Sequence, residues 1–233
     1  MIFLQGWAHS PSLHFPAEYD LALPRRALTG GRPQMVLLLH GLGSGREEWI
    51  HSVRLETLTE EYGLALVLPE GRRSCFLDMR EGPCWNAYLR EDLIPALRRQ
   101  LCLSDAPPAV IGLDSGALGA LQLASNAGLF CAAIDPDSKS PFVRQPSRWP
   151  LETEWAGVFE GGEADWRKEN FADVRGVVVG EPQLAKDFRN AFGLESWEER
   201  PAPGADLEQK LRLALNACRT AQLKETGKPR GEE

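Results

Sequence analysis

The segment Ala109-Val110-Ile111-Gly112-Leu113-Asp114-Ser115-Gly116-Ala117-Leu118-Gly119-Ala120-Leu121 reads as a buried strand, a sharp glycine-flanked turn and a helix. The spacing is that of a G-x-S-x-G turn, where small flanking residues let the backbone reverse tightly and push the central side chain out over the carboxyl end of a sheet. Gly112 and Gly116 hold the two glycine positions, and Asp114 stands where a nucleophilic serine is usual. That exchange changes the chemistry. A carboxylate that attacks an ester forms an intermediate from which it departs again, because a group of pKa about 4 leaves far more readily than an alkoxide. Substitution at an alkyl carbon avoids this reversal, but the resulting ester still needs water activated by a general base.

The candidates for supporting roles follow from the same architecture. His40-Gly41-Leu42-Gly43 comes directly after an apolar run, and a loop of this kind supplies one backbone N–H of an oxyanion hole, here that of Leu42. Ser115, the residue after the turn's centre, supplies the other. His40 and Gly41 would then border the pocket, His40 as a structural turn residue rather than a base. All four histidines (His9, His14, His40, His51) lie within the first 51 residues, so none can come from the late turn where this architecture places its base. The Ser115 hydroxyl is one residue from the presented position; its side chain is expected to point elsewhere, as a small residue permitting the turn. Asp135, Asp137 and Glu181 join Asp114 at neighbouring strand ends, the edge where open α/β sheets bind ligands. Glu181 is the remaining carboxylate that could serve as a base. Four such groups could gather a hard cation. Turn chemistry at Asp135-Pro136-Asp137 and a helix start at Glu181-Pro182 explain them more simply, and neither a metal nor a cofactor is expected. Trp149, Trp155 and Trp166 either line a pocket or form a small core of their own.

Apolar runs alternating with amphipathic stretches predict an α/β domain with a mostly parallel sheet. Strands are expected at Met35–His40, Leu64–Pro69, Ala109–Leu113, Cys131–Asp135, Gly176–Gly180 and Trp197–Arg200. The segment Ala87–Leu103 places Leu89, Leu93, Ile94, Leu97 and Leu101 on one helical face. Asp206–Gln222 does the same with Leu207, Leu211, Ala214, Leu215 and Cys218. Residues 1–223 read as a single domain with an irregular insertion at about 138–173, rich in Pro, Trp, Gly and charge. Residues 224–233 read as a disordered tail.

The 233 residues, 43% hydrophobic, suffice for one sizeable core. A net charge of -7 with no basic run argues against nucleic acid or an anionic membrane as partner, leaving a small-molecule ligand, a protein or a second copy of the chain. Five scattered cysteines without C-x-x-C spacing argue against a disulfide framework or zinc site. With no signal-peptide pattern and no apolar run near the roughly 18 residues of a membrane span, the chain is expected to be cytoplasmic.

Several motifs agree in order and spacing: Leu39-His40-Gly41, Trp49, Leu66-Val67-Leu68-Pro69-Glu70-Gly71, Tyr88-Leu89-Arg90-Glu91-Asp92-Leu93-Ile94-Pro95 and the Gly112–Leu121 turn. Together they make the chain resemble the esterase D and S-formylglutathione hydrolase group of α/β hydrolases, roughly from Leu13 to the last helix. That group reads L-L-H-G, E-D-L-I-P and G-L-S-M-G-G-x-G-A-L. The resemblance implies the α/β-hydrolase fold, a mostly parallel sheet with helices on both faces. It also implies a serine at the position of Asp114, an acid at Gln183 within Gly180-Glu181-Pro182-Gln183, and a histidine at Ala205. All three positions are substituted. The expectation is an esterase-like pseudoenzyme with a binding or assembly role. The alternatives are an enzyme of altered chemistry using Asp114, such as a lyase, isomerase or dehalogenase-like hydrolase, and a carboxylesterase with a non-standard triad.

Overall fold

Runs such as Met35-Val36-Leu37-Leu38-Leu39 and Ala109-Val110-Ile111 carry no polar residue on either side of the chain, the pattern of strands covered on both faces. The structure, a computed structural model, describes residues 1–79, 82–136 and 171–226, the last five by backbone alone. Among the described residues one sheet has the order β1-β2-β4-β3-β5-β6-β7-β8. Its strands are β1 (Ile2–Ser10), β2 (Phe15–Leu23), β3 (Gln34–Leu39), β4 (Leu64–Pro69), β5 (Ala109–Leu113), β6 (Phe130–Ile134), β7 (Gly176–Gly180) and β8 (Glu198–Pro201). Strands β3 to β8 run parallel, while β1 and β2 form an antiparallel pair docked on β4.

Alternation along each strand divides the side chains between two cores. Leu37, Leu39, Val67, Val110, Ala133 and Val178 point to one face. There they meet Leu97 of α4 (Ile94–Gln100), Leu121 of α5 (Gly116–Ala127) and Phe188 of α6 (Pro182–Phe192). Val36, Leu38, Leu66, Ile111, Ile134 and Val179 point to the other. Their partners are Trp49 of α1 (Glu47–Ser52), Leu58 of α2 (Leu55–Tyr62), and Leu211 and Leu215 of α7 (Leu207–Thr226). Each large apolar side chain buried this way is worth about 1.5–3 kcal/mol.

Three expected strands, Leu64–Pro69, Ala109–Leu113 and Gly176–Gly180, have the expected bounds and the other three are shifted by one residue, but the N-terminal hairpin β1–β2 was not expected. The expected helix at 87–103 is instead a short α3 (Trp85–Ala87), one π-helical turn (Tyr88–Leu93) and α4. Pro95 follows that turn and has no N–H to give the carbonyl of Glu91. Leu89, Leu93, Ile94 and Leu97 are buried as read, and Leu101 is partly so. Helix α7 continues to Thr226, past Gln222. Asp137, Trp149, Trp155, Trp166 and most of the insertion lie outside the described residues.

Candidate active site

Strands β3 and β5 are neighbours, and the connection leaving β3 runs to β4 on one side while that leaving β5 runs to β6 on the other, so the two diverge at their carboxyl ends. That divergence is the switch point where open α/β sheets form a ligand crevice. Asp114 follows β5 there and Gly41 lies just after β3. Asp114 has φ +53°, a left-handed conformation uncommon for a residue with a side chain, and its N–H bonds the Ile134 carbonyl at 3.0 Å. The flanking glycines are dictated by close approach. A Cβ on Gly112 would collide with the backbone of Gly116 and Ala117, and one on Gly116 with the carbonyls of Leu39 and His40. Strand, turn and helix therefore pack as the sequence implied. A Cβ on Gly41 would stand 2.9 Å from Asp114 Oδ2, which places the carboxylate against the facing loop.

The Ser115 side chain is engaged within the chain's own loops. It is 3% exposed, and its Oγ accepts the Leu42 N–H at 2.6 Å across the crevice. The N–H that would stabilise an oxyanion is thus committed to the chain's own hydroxyl. The related esterase pattern has methionine at this position, which offers no such oxygen. Cys75, also buried, is a site residue that the sequence did not reveal. Burial pushes its thiol up to about 12; the Asp114 carboxylate adds to that rise and a hydrogen bond with Ser115 opposes it. Arg72, Cys75 and Phe76 all have positive φ, although Arg-Arg-Ser-Cys-Phe contains no glycine or asparagine to announce it.

His40 is held inside the loop framework. It is 2% exposed, its Nε2 lies 3.0 Å from the Gly71 N–H and its Nδ1 lies 2.9 Å from the Gly41 carbonyl. A ring that accepts from Gly71 carries its proton on Nδ1, donated to Gly41. Both nitrogens are occupied within the loop framework.

The strand-end carboxylates are also engaged. Asp135 pairs with Lys210 at 2.6 Å and accepts the Glu181 N–H at 3.3 Å, while Glu181 accepts the Gly204 N–H at 3.3 Å. No cluster of three or more metal-ligating side chains occurs among the described residues. Gln183 donates to Asp187 one turn along α6 at 2.7 Å. Glu181, not Gln183, therefore faces the turn between β8 and α7. Ala205 stands in that turn, its N–H bonding the Ala202 carbonyl at 3.3 Å.

The sequence pattern that defines the alpha/beta hydrolase family matches residues 36–225. The chain belongs to this family. No curated protein sequence matches it. Among solved structures, FphF, a fluorophosphonate-binding serine hydrolase of Staphylococcus aureus, superposes with a TM-score of 0.74 at 15% identity, covering 95% of this chain and 98% of that one. An S-formylglutathione hydrolase of Agrobacterium tumefaciens gives 0.70 at 16% identity over 93% and 95%. The S-formylglutathione hydrolase of S. aureus gives 0.72 at 16% over 92% and 97%. These likenesses show the alpha/beta hydrolase fold. Among the described residues no helix is long and apolar enough to cross a membrane.

Proposed function

We propose that this alpha/beta hydrolase is a pseudo-esterase: it retains the crevice of an esterase-like fold for binding or assembly and has lost acyl-transfer chemistry. The observation that carries this reading is Asp114 at the elbow, presented by φ +53°, in a chain with no histidine after His51. A carboxylate in that position reverses its own attack on an ester, and no imidazole is available at the late turn to activate water. Three further features agree with it. His40 has both ring nitrogens engaged, Ser115 Oγ occupies the Leu42 N–H, and Ala205, the position to which the resemblance assigns the base, lies in the turn between β8 and α7.

A second reading has one observation in its favour. Asp114 keeps a strained backbone, a cost of order 1–3 kcal/mol that persists most often at working sites. Chemistry at an alkyl or proton-transfer centre would use that carboxylate without an acyl intermediate. Glu181 and Asp135, the other carboxylates of this edge, are tied to Gly204 and Lys210.

The test is hydrolysis of p-nitrophenyl acetate and butyrate by the purified protein beside Asp114→Ala. The expected outcome is that both match a nonspecific protein control. Saturable turnover by the parent that Asp114→Ala abolishes would overturn the proposal.

A further inference from the structure

Away from Asp114, a recess of about 390 Å³ opens where β1 and β2 meet the loops after β3 and β4. Its walls include the aromatic rings of Trp7, Phe15 and Trp85 and the carboxylates of Glu18 and Glu70. Trp7 is 70% exposed, while Trp85 is buried and packs edge-on to Phe15 at 5.8 Å between centroids.

The charge around this recess is lopsided. Arg46 alone meets Glu18 and Asp20 at 2.7 Å, Glu70 at 3.5 Å and Glu47 at 3.9 Å. One guanidinium thus meets four carboxylates, of which Glu18 and Glu70 line the recess, and His40 Nε2 also lies 3.4 Å from Glu70. Asp20 is fully buried, and its Oδ1 has no hydrogen-bond donor while Oδ2 takes the Arg46 Nε. The remaining cation is Arg72, whose guanidinium carbon lies 5.1 Å from the Phe15 ring centroid and forms no ion pair with any described carboxylate. Its backbone N–H is held by Glu70 at 2.7 Å. Aromatic faces attract cations, and carboxylates beside them add to that attraction.

We infer that this recess binds a guanidinium-bearing small molecule, for which the side chain of Arg72 is the resident stand-in. The ligand's planar cation would take the place over Phe15, between Trp7 and Trp85, with its N–H groups toward Glu18 and Glu70, a fork geometry suited to carboxylates. Arg72, exposed at the recess edge, swings out into solvent as the ligand enters. Asp114 does not line this recess, so the inference is independent of whether the elbow carries any chemistry.

The test is titration of the full chain with methylguanidinium, followed both by tryptophan fluorescence and by saturation-transfer NMR on the ligand methyl group. N-Methylurea, which carries the same methyl group, serves as the uncharged control of the same shape. Methylguanidinium should bind saturably and more weakly as salt is added, and N-methylurea should not bind. Arg72→Ala removes the competing side chain and should tighten binding about two- to fivefold, the worth of one exposed cation–π contact. Trp7→Ala, a change at an exposed side chain, should weaken it by a similar factor, and Glu18→Gln should weaken it further. Equal binding of N-methylurea and methylguanidinium, or an Arg72→Ala protein that binds no tighter than the parent, would overturn the inference.

Discussion

The Ser115 hydroxyl accepts the Leu42 N–H at 2.6 Å, linking the residue after the elbow to the loop that faces it. In an esterase of this family's outline that N–H is kept for developing negative charge, and losing one such donor costs about a hundred- to a thousandfold in turnover. Here a neutral oxygen already fills its hydrogen-bonding direction. Under the proposed reading, the crevice departs from an esterase in its donor set as well as in its nucleophile.

Replacing Ser115 by alanine should release the Leu42 N–H without disturbing the turn. A single buried hydrogen bond contributes about 0.5–1.5 kcal/mol, so urea denaturation should show a loss in that range. Amide exchange read by NMR should speed up at Leu42 while the β5 amides remain protected. Unchanged exchange at Leu42 would mean that its N–H has another acceptor.

The backbone at Asp114 gives a second prediction. Glycine adopts φ +53° without steric cost, whereas a β-branched residue does not. Asp114→Gly should stay within about 1 kcal/mol of the parent, and Asp114→Val should lose about 1–3 kcal/mol, read from denaturant midpoints. Equal stability of the two variants would contradict an elbow at this residue.

Much of this arrangement was legible in the sequence. The parallel interior strands announce themselves as uninterrupted apolar runs, because both faces of a central strand are covered. Gly112 and Gly116 announce the elbow, because no side chain fits against the carbonyls they meet. The hairpin β1–β2 was hidden because Gly6, His9, Pro16, Glu18 and Asp20 interrupt its pattern. Asp20 is tolerated in a buried strand only through Arg46, which lies 26 positions further along the chain. The Ser115 contact spans 73 positions, and the carboxylate facing the late turn proved to be Glu181, because the helix start at Pro182 turns Gln183 toward Asp187. Local pattern carries no information about such pairings.

Thiol chemistry provides a third prediction, with a definite direction in pH. Burial first, and the Asp114 carboxylate second, hold the Cys75 thiol at about 12. The proton therefore stays on sulfur until strongly alkaline pH, and at pH 8 only about one molecule in ten thousand carries the thiolate, the form that reacts. Iodoacetamide at pH 8 followed by peptide mass spectrometry should label Cys102, which is exposed, and leave Cys75, Cys131 and Cys218 unmodified in the folded protein. Labelling at Cys75 should rise only at strongly alkaline pH. Early labelling at Cys75 would show that the elbow region opens to solvent.

The most direct measurement of the central claim is the steady-state kcat/KM of Asp114→Ser on p-nitrophenyl acetate, beside Asp114→Ala. Members of a catalytic triad act as a unit, so restoring one without the others recovers little. With no histidine after His51, with Ala205 in the late turn and with the Leu42 N–H taken by Ser115, the serine variant should hydrolyse the ester no faster than the alanine variant. Efficient, saturable hydrolysis by Asp114→Ser alone would mean that a working base and an open oxyanion site are already present, and would contradict the loss of acyl-transfer chemistry.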